Sequence, residues 1–170
     1  MRVVQRRDAA PREIELDVIV NFTPSGMIPT KEMTPHVPVS VDEIVEDVHR
    51  AVEIGITVVH IHARDELTGK PVSRDETYGQ IISGIRKFDA DLIIGVSLSG
   101  RDFVDFGQRA EPLQLDGALK PDMGSLTLSS LNFNKQTSLN SPEMIQALAA
   151  EMLTRGIVPE LEAFDGGMIN

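Results

Sequence analysis

Two rhythms of apolar residues alternate along the chain. Leu16 to Phe22 (LDVIVNF), Ile56 to Ala63 (ITVVHIHA), Leu92 to Leu98 (LIIGVSL), Met123 to Leu128 and Val158 to Phe164 are short β-rich runs, and each predicts a strand. Between them the apolar spacing changes to three and four residues. Ser40 opens the first helix, where Ser40-x-x-Glu43 is a capping box; Val41, Ile44, Val45, Val48 and Val52 form its stripe, and Gly55 stops it. Thr77 to Phe88 predicts a second helix with Tyr78, Ile81, Ile82, Ile85 and Phe88 buried, and Phe103 to Leu115 reads as weakly helical. Ser141 caps a further helix with Pro142 at its first position, where the missing N–H costs nothing. Met144, Ile145, Leu148, Met152 and Leu153 face the core of that helix, and Gly156 ends it. Residues 1–14 read as a disordered, solvated lead-in, and 15–170 as one domain.

Strands separated by crossover helices imply a parallel sheet with helices outside it. Side chains alternate between the two faces of a strand, so parity sorts them. Val58, His60, His62 and Arg64 share one face of the second strand, against Val59, Ile61 and Ala63. Ser97 and Ser99 oppose Leu92, Ile94, Val96 and Leu98; Ser125 and Thr127 oppose Leu126 and Leu128; Glu160 and Glu162 oppose Leu161 and Ala163; Asn21 opposes Val20 and Phe22. Every strand therefore has one apolar face for helices and another that turns polar near its C-terminal end, the edge where sites in such sheets collect. The loop from Thr23 to Val39 is long for a strand-to-helix connection, a sign of function.

Composition narrows the chemistry. The chain is 41% apolar and 25% charged, as expected for a soluble globular domain, and no run is long enough to span a membrane. The arginines near the start are followed by no apolar signal region, so a cytoplasmic location is expected. There is no cysteine, so any metal must be held by His, Asp or Glu. A net charge of -10 and the absence of Trp argue against a nucleic-acid or anionic-membrane surface, while leaving room for a small anionic substrate.

His60-x-His62 is the sharpest chemical feature. Two imidazoles at i and i+2 on one face can each give a nitrogen to one ion, although a hydrogen-bonded buried pair has the same spacing. Their position at a strand's C-terminal end favours metal, and a catalytic zinc needs a third protein ligand. Glu162 or Glu160 could supply a carboxylate; burying both without a cation would be costly. Asp65 could pair with loop backbone or act in catalysis. Ser97 and Ser125 could bind a carboxylate or simply fill a narrow interior. His36 and His49 are weaker candidates, and His49 falls on the polar side of its helix.

Several longer motifs, in order, resemble the β-keto acid cleavage enzymes, typified by the 3-keto-5-aminohexanoate cleavage enzyme. They are Val58-Val59-His60-Ile61-His62-Ala63-Arg64-Asp65, then Lys120-Pro121-Asp122-Met123-Gly124-Ser125-Leu126, Ser130-Leu131-Asn132-Phe133, and Pro159-Glu160-Leu161-Glu162-Ala163-Phe164-Asp165. The resemblance runs from about Leu16 to the last residue. It implies an α/β fold, a (β/α)8 TIM barrel, here incomplete with about five strands and truncated after the fifth. It further implies zinc, a homo-oligomer (a tetramer in the complete family member), and acyl transfer from a β-keto acid to acetyl-CoA, giving acetoacetate and a new CoA thioester. Carried over, His60 and His62 are the zinc ligands. Ser97, Ser99 and the backbone near Gly100 hold the substrate carboxylate, and Ser125 and Glu162 line the pocket as catalytic, orienting groups. The third zinc ligand, a Glu, is expected beyond residue 170, together with an Asp and an Arg of later strands.

Two features depart from the family pattern. Gly26-Met27-Ile28 has no carboxylate after the glycine, and Ser97-Leu98-Ser99-Gly100 stands where the pattern is Ser-Thr-Gly-Gly. Two other readings compete. A metal-dependent TIM-barrel hydrolase also uses H-x-H, typically on its first strand. A non-catalytic, flavodoxin-like five-stranded binding domain suits the length and alternation, and it would have strand order 2-1-3-4-5.

Overall fold

A computed structural model describes residues 18–169, so the expected lead-in over residues 1–14 and the start of the first predicted strand lie outside the described residues. In chain order the elements are β1 (Asn21–Phe22), α1 (Val41–Ile54), β2 (Val58–Ile61), α2 (Asp75–Arg86), β3 (Ile93–Val96), α3 (Phe106–Ala110), β4 (Met123–Thr127), β5 (Leu131–Asn132), β6 (Thr137–Ser138), α4 (Pro142–Arg155) and β7 (Val158–Glu162).

The helix ends follow the local chemistry read from the sequence. Ser40 Oγ accepts from Glu43 N at 3.1 Å, and the Glu43 carboxylate accepts from Ser40 N at 3.2 Å, closing the capping box of α1. Gly55 ends α1 with φ 105°, a left-handed turn that a side chain would oppose. Ser141 Oγ caps α4 by accepting from Met144 N, Pro142 sits in its first turn, and Gly156 ends it at φ 64°. Other boundaries differ from expectation. Helix α2 begins two residues early because Asp75 and Glu76 suit the positive end of a helix. The weakly helical stretch splits into α3 and a 3-10 turn over Glu111–Gln114, since Pro112 cannot donate to an α-helical ladder. The antiparallel β5–β6 pair was not expected at all; its two-residue strands are too short to show alternation.

The main sheet has order β1-β2-β3-β4-β7, every pair parallel. Strands added in sequence, each on the same side of the last, keep all crossover helices on one face, as in a barrel wall. The flavodoxin-like order is absent. Val59, Ile61, Ile94 and Val96 are fully buried in the core that also holds Ile44 and Val48 of α1, Ile81 and Ile85 of α2, and Leu148 and Met152 of α4. The cover thins at the sheet edges. Leu161, predicted to lie under helices, is 64% exposed, and Val18, Ile19, Leu153 and Phe164 are exposed as well.

The sheet is strongly curled. Flat, its edge strands would lie roughly 19 Å apart across four inter-strand gaps. Yet Asn21 Nδ2 of β1 donates to Glu160 Oε1 of β7 at 2.9 Å across the concave face.

Candidate active site

The concave face collects the polar parity set. Register places His60 beside Gly95, Gly95 beside Met123, Ser125 beside Glu160 and Thr127 beside Glu162. At the C-terminal strand ends these residues and the following loops enclose a cavity of about 310 Å³. Its wall includes His62, Ser97, Ser99, Ser125, Thr127 and Glu162, with Gly26 to Pro29 from the long first loop and Arg101, Phe133 and Phe164 at the sides.

The two imidazoles lie side by side on this face, ring centroids 4.8 Å apart and tilted by 34°. His60 Nδ1 lies 2.7 Å from Glu160 Oε2, and a ring nitrogen of His60 and one oxygen each of Glu160 and Glu162 lie within 4.8 Å of one another. The bond with His60 holds the Glu160 carboxylate below its ordinary range, assisted by Asn21, against the opposing effect of burial. His62 differs. Burial first, then the neighbouring charges of His60, Arg64 and Arg101, pull its pKa down to about 3, so its ring is neutral at ordinary pH. Its Nδ1 is buried with no hydrogen-bond partner among the described residues.

The donor atoms that lie within 4.8 Å of one another belong to His60, Glu160 and Glu162, a nitrogen-and-oxygen set that fits zinc, whereas His62, with its unpartnered Nδ1 and its ring 4.8 Å from that of His60, falls outside this group. Glu160, bonded to His60 Nδ1, is placed to fix the ring's orientation and tautomer, the usual task of a carboxylate behind a metal-binding histidine.

The remaining predicted residues divide. Ser97, Ser99 and Ser125 line the cavity, but Ser125 Oγ also accepts from Leu98 N at 2.9 Å, and Ser99 Oγ from Arg101 N at 3.3 Å. Glu162 is held by Thr127 Oγ1 at 2.6 Å. Gly100 is buried behind the wall rather than in it; an added Cβ would collide with Leu139 O, so glycine there answers to close packing. Asp65 turns away from the cavity, accepting from Thr68 N and Thr68 Oγ1 at 2.9 Å each and from Arg74 at 3.0 Å. His36 and His49 are exposed.

Four contributors were not anticipated. Gly95, mid-strand between His60 and Met123, lies where Glu160 reaches across β3: its Oε2 would be 3.7 Å from a Cβ at residue 95, an ordinary contact that only a side chain larger than alanine would crowd. An isolated glycine in a strand pattern is a known sign of such close approach, so that signal was available. Arg64 is 2% exposed and donates to Gly69 O at 2.7 Å and to Gly26 O, tying the first loop to the rim. Arg109, also 2% exposed, bonds Leu98 O, Leu139 O and Asn140 Oδ1, joining the end of β3 to the β5–β6 hairpin. Arg101 stacks on Phe133. Strand parity marks Arg64 as sharing the face of His60 and His62, whereas no sequence period marks Arg101 or Arg109.

Comparison with known proteins agrees with this architecture. Three structures of ObcA share the fold, with TM-scores of 0.71 to 0.72 at 21% identity, over 80% of this chain and about a third of theirs. The five parallel strands and their helices are thus part of a TIM-barrel fold. The chain is 38% identical over 151 residues to the 3-oxoadipate:acetyl-CoA acetyltransferase of Cupriavidus necator, covering 89% of this chain and 51% of that protein. It is 32% identical over 154 residues to the 3-keto-5-aminohexanoate cleavage enzyme of Acetoanaerobium sticklandii, covering 90% and 55%. The chain therefore spans about half the length of these relatives. The family model described as beta-keto acid cleavage enzyme matches residues 17–170, and the chain belongs to that family.

Proposed function

We propose that the complete protein cleaves a β-keto acid in a zinc-dependent reaction, transferring its acyl part to acetyl-CoA to give acetoacetate and an acyl-CoA. The observation that carries this reading is the paired His60 and His62 on the concave face, backed by Glu160 and opposite Glu162. The relative whose name couples 3-oxoadipate with acetyl-CoA supports the same chemistry.

Zinc held by His60 and His62, when bound, would supply a Lewis acid that polarises the ketone and stabilises enolate charge. The chain's own side chains bind and orient. Ser97 and Ser99 offer hydroxyl donors to the substrate carboxylate, and Ser125 lines the cavity beside them. Glu162, fixed by Thr127, is positioned to orient the substrate or to take a proton from the carbon beside its ketone. A catalytic zinc site needs a third protein ligand beside His60 and His62; the chain spans about half the length of its relatives. A cytoplasmic homo-oligomer is the family-based expectation; no helix among the described residues is long and apolar enough to cross a membrane.

The test is His60→Ala in the complete protein. Zinc content by elemental analysis and consumption of acetyl-CoA with a β-keto acid should both be lost. Turnover persisting in that variant would remove the mechanism, and ester or amide hydrolysis without coenzyme A would favour the hydrolase instead.

A further inference from the structure

Tyr78 is a buried polar group for which the chemistry above has no use. It rises from the first turn of α2, is 2% exposed and forms no part of the cavity wall. Its hydroxyl reaches between the C-terminal ends of β2 and β3, where it donates to Ser97 O at 3.3 Å and meets the backbone of Ala63. Burial pushes its pKa above the ordinary tyrosine value, so the hydroxyl keeps its proton and remains a donor.

The ladder between the two strands stops at this point. Its last rung runs from Ser97 N to Ile61 O at 3.1 Å. The parallel repeat would next join Ala63 N to Ser97 O, but β2 ends at Ile61 and β3 at Val96. Ala63 O turns aside instead and accepts from Val72 N at 3.0 Å. The Tyr78 hydroxyl stands in the missing rung, and without it the carbonyl of a buried residue would lose its partner.

The place matters because His62, next to Ala63, and Ser97 both line the cavity. Ser97 is held on either side, at N by Ile61 and at O by Tyr78. Leu98 is held as well, its N by Ser125 Oγ at 2.9 Å and its O by Arg109 at 2.9 and 2.6 Å. Ser99 and Ser125 use their hydroxyl oxygens to accept from Arg101 N and Leu98 N, whereas Ser97 Oγ makes no hydrogen bond among the described residues. A pinned main chain carrying an uncommitted hydroxyl is a preorganised donor. Resting on the β-keto acid chemistry proposed above, we infer that Tyr78 is a positioning residue: its hydroxyl sets Ser97 against the His62 strand, so that Ser97 Oγ meets the substrate carboxylate while the ketone faces the histidines.

The test is Tyr78→Phe in the complete protein, alone and combined with Ser97→Ala. Phenylalanine keeps the ring in the core and removes one oxygen, and circular dichroism checks that each variant is folded. In Tyr78→Phe, KM for the β-keto acid should rise roughly tenfold while kcat falls less than about threefold. Zinc content and the shape of the pH profile of kcat/KM should not change. With Ser97 already replaced by Ala, adding Tyr78→Phe should alter KM by less than about twofold, because the group it acts through is gone. An unchanged KM in Tyr78→Phe, with turnover intact, overturns the inference and leaves the β-keto acid reading standing. Effects that multiply in the double variant, zinc lost together with KM, or a displaced pH profile would assign the hydroxyl to packing, to the metal or to proton transfer, and each overturns it. Absence of turnover in the unmodified protein removes the reading and the inference together.

Discussion

Replacing Arg109 by Met should destabilise the protein more than most single substitutions, although the residue makes no ion pair among the described residues. Its Nε and Nη2 donate to Leu98 O at 2.9 and 2.6 Å, Nη1 to Leu139 O at 3.0 Å, and Nη2 to Asn140 Oδ1 at 2.8 Å. Burial already opposes the charge, pulling the pKa down to about 10, with Glu162 acting in the other direction. Methionine refills much of the volume, so the cavity contribution is small and three stranded acceptors dominate. At about 1–3 kcal/mol for each buried acceptor left unpaired, and allowing Asn140 to turn toward other partners, the loss is about 3–5 kcal/mol. That is a large share of a domain stability of about 5–15 kcal/mol. Urea unfolding followed by circular dichroism should show the midpoint lower by about 2 M at unchanged slope. Arg109→Lys, which can restore some of the bonds to Leu98 O and Leu139 O, should recover part of the difference. A loss below about 1 kcal/mol in Arg109→Met would refute the reasoning, because it would mean that water or rearranged backbone satisfies those carbonyls at little cost.

Two further substitutions probe the concave face and the first helix. Gly95→Val places methyl groups where Glu160 crosses β3, displacing the carboxylate from His60; zinc affinity, measured by competition with a chromophoric chelator, should fall about 10- to 100-fold. An unaltered affinity would show that Glu160 does not orient His60. Glu43 has its pKa lowered from 4.5 to about 2, chiefly by its hydrogen bond with Lys31 and then by Val39 N. Its contribution is therefore complete above about pH 4.5 and drains away as the pH falls toward 2. Because its side chain is 45% exposed, solvent screening limits that contribution to about 1 kcal/mol. Urea midpoints of Glu43→Gln should lie below those of the unmodified protein at pH 6 and converge with them near pH 2; a gap that persists at pH 2 would contradict the assignment.

Local chemistry was the legible part of this protein. The capping box at Ser40 and Glu43, the stripe through Ile44 and Val48, and the stop at Gly55 depend only on neighbours within a turn or two, so the sequence carries them openly. Strand parity was equally direct: His60, Ser97, Ser125 and Glu162 share a face because alternation is a property of one extended chain. Relations between strands were not legible. That Glu160, rather than Glu162, contacts His60 depends on how far the sheet curls and on the missing side chain at Gly95. Arg101 and Arg109 sit in a stretch with no periodicity, where an arginine in solvent and one buried against carbonyls look alike. The β5–β6 hairpin escaped because two-residue ladders leave no pattern, yet it carries Phe133 and Ser138 into the cavity wall.

The contact of Asn21 with Glu160, and of Glu160 with His60, has an implication for engineering. One glutamate is both the tie that draws opposite margins of the sheet together and a neighbour of the histidine chemistry. Tuning it for catalysis would slacken the arc, and altering the arc would retune the histidine. Shape and reactivity in this wall cannot be adjusted one at a time.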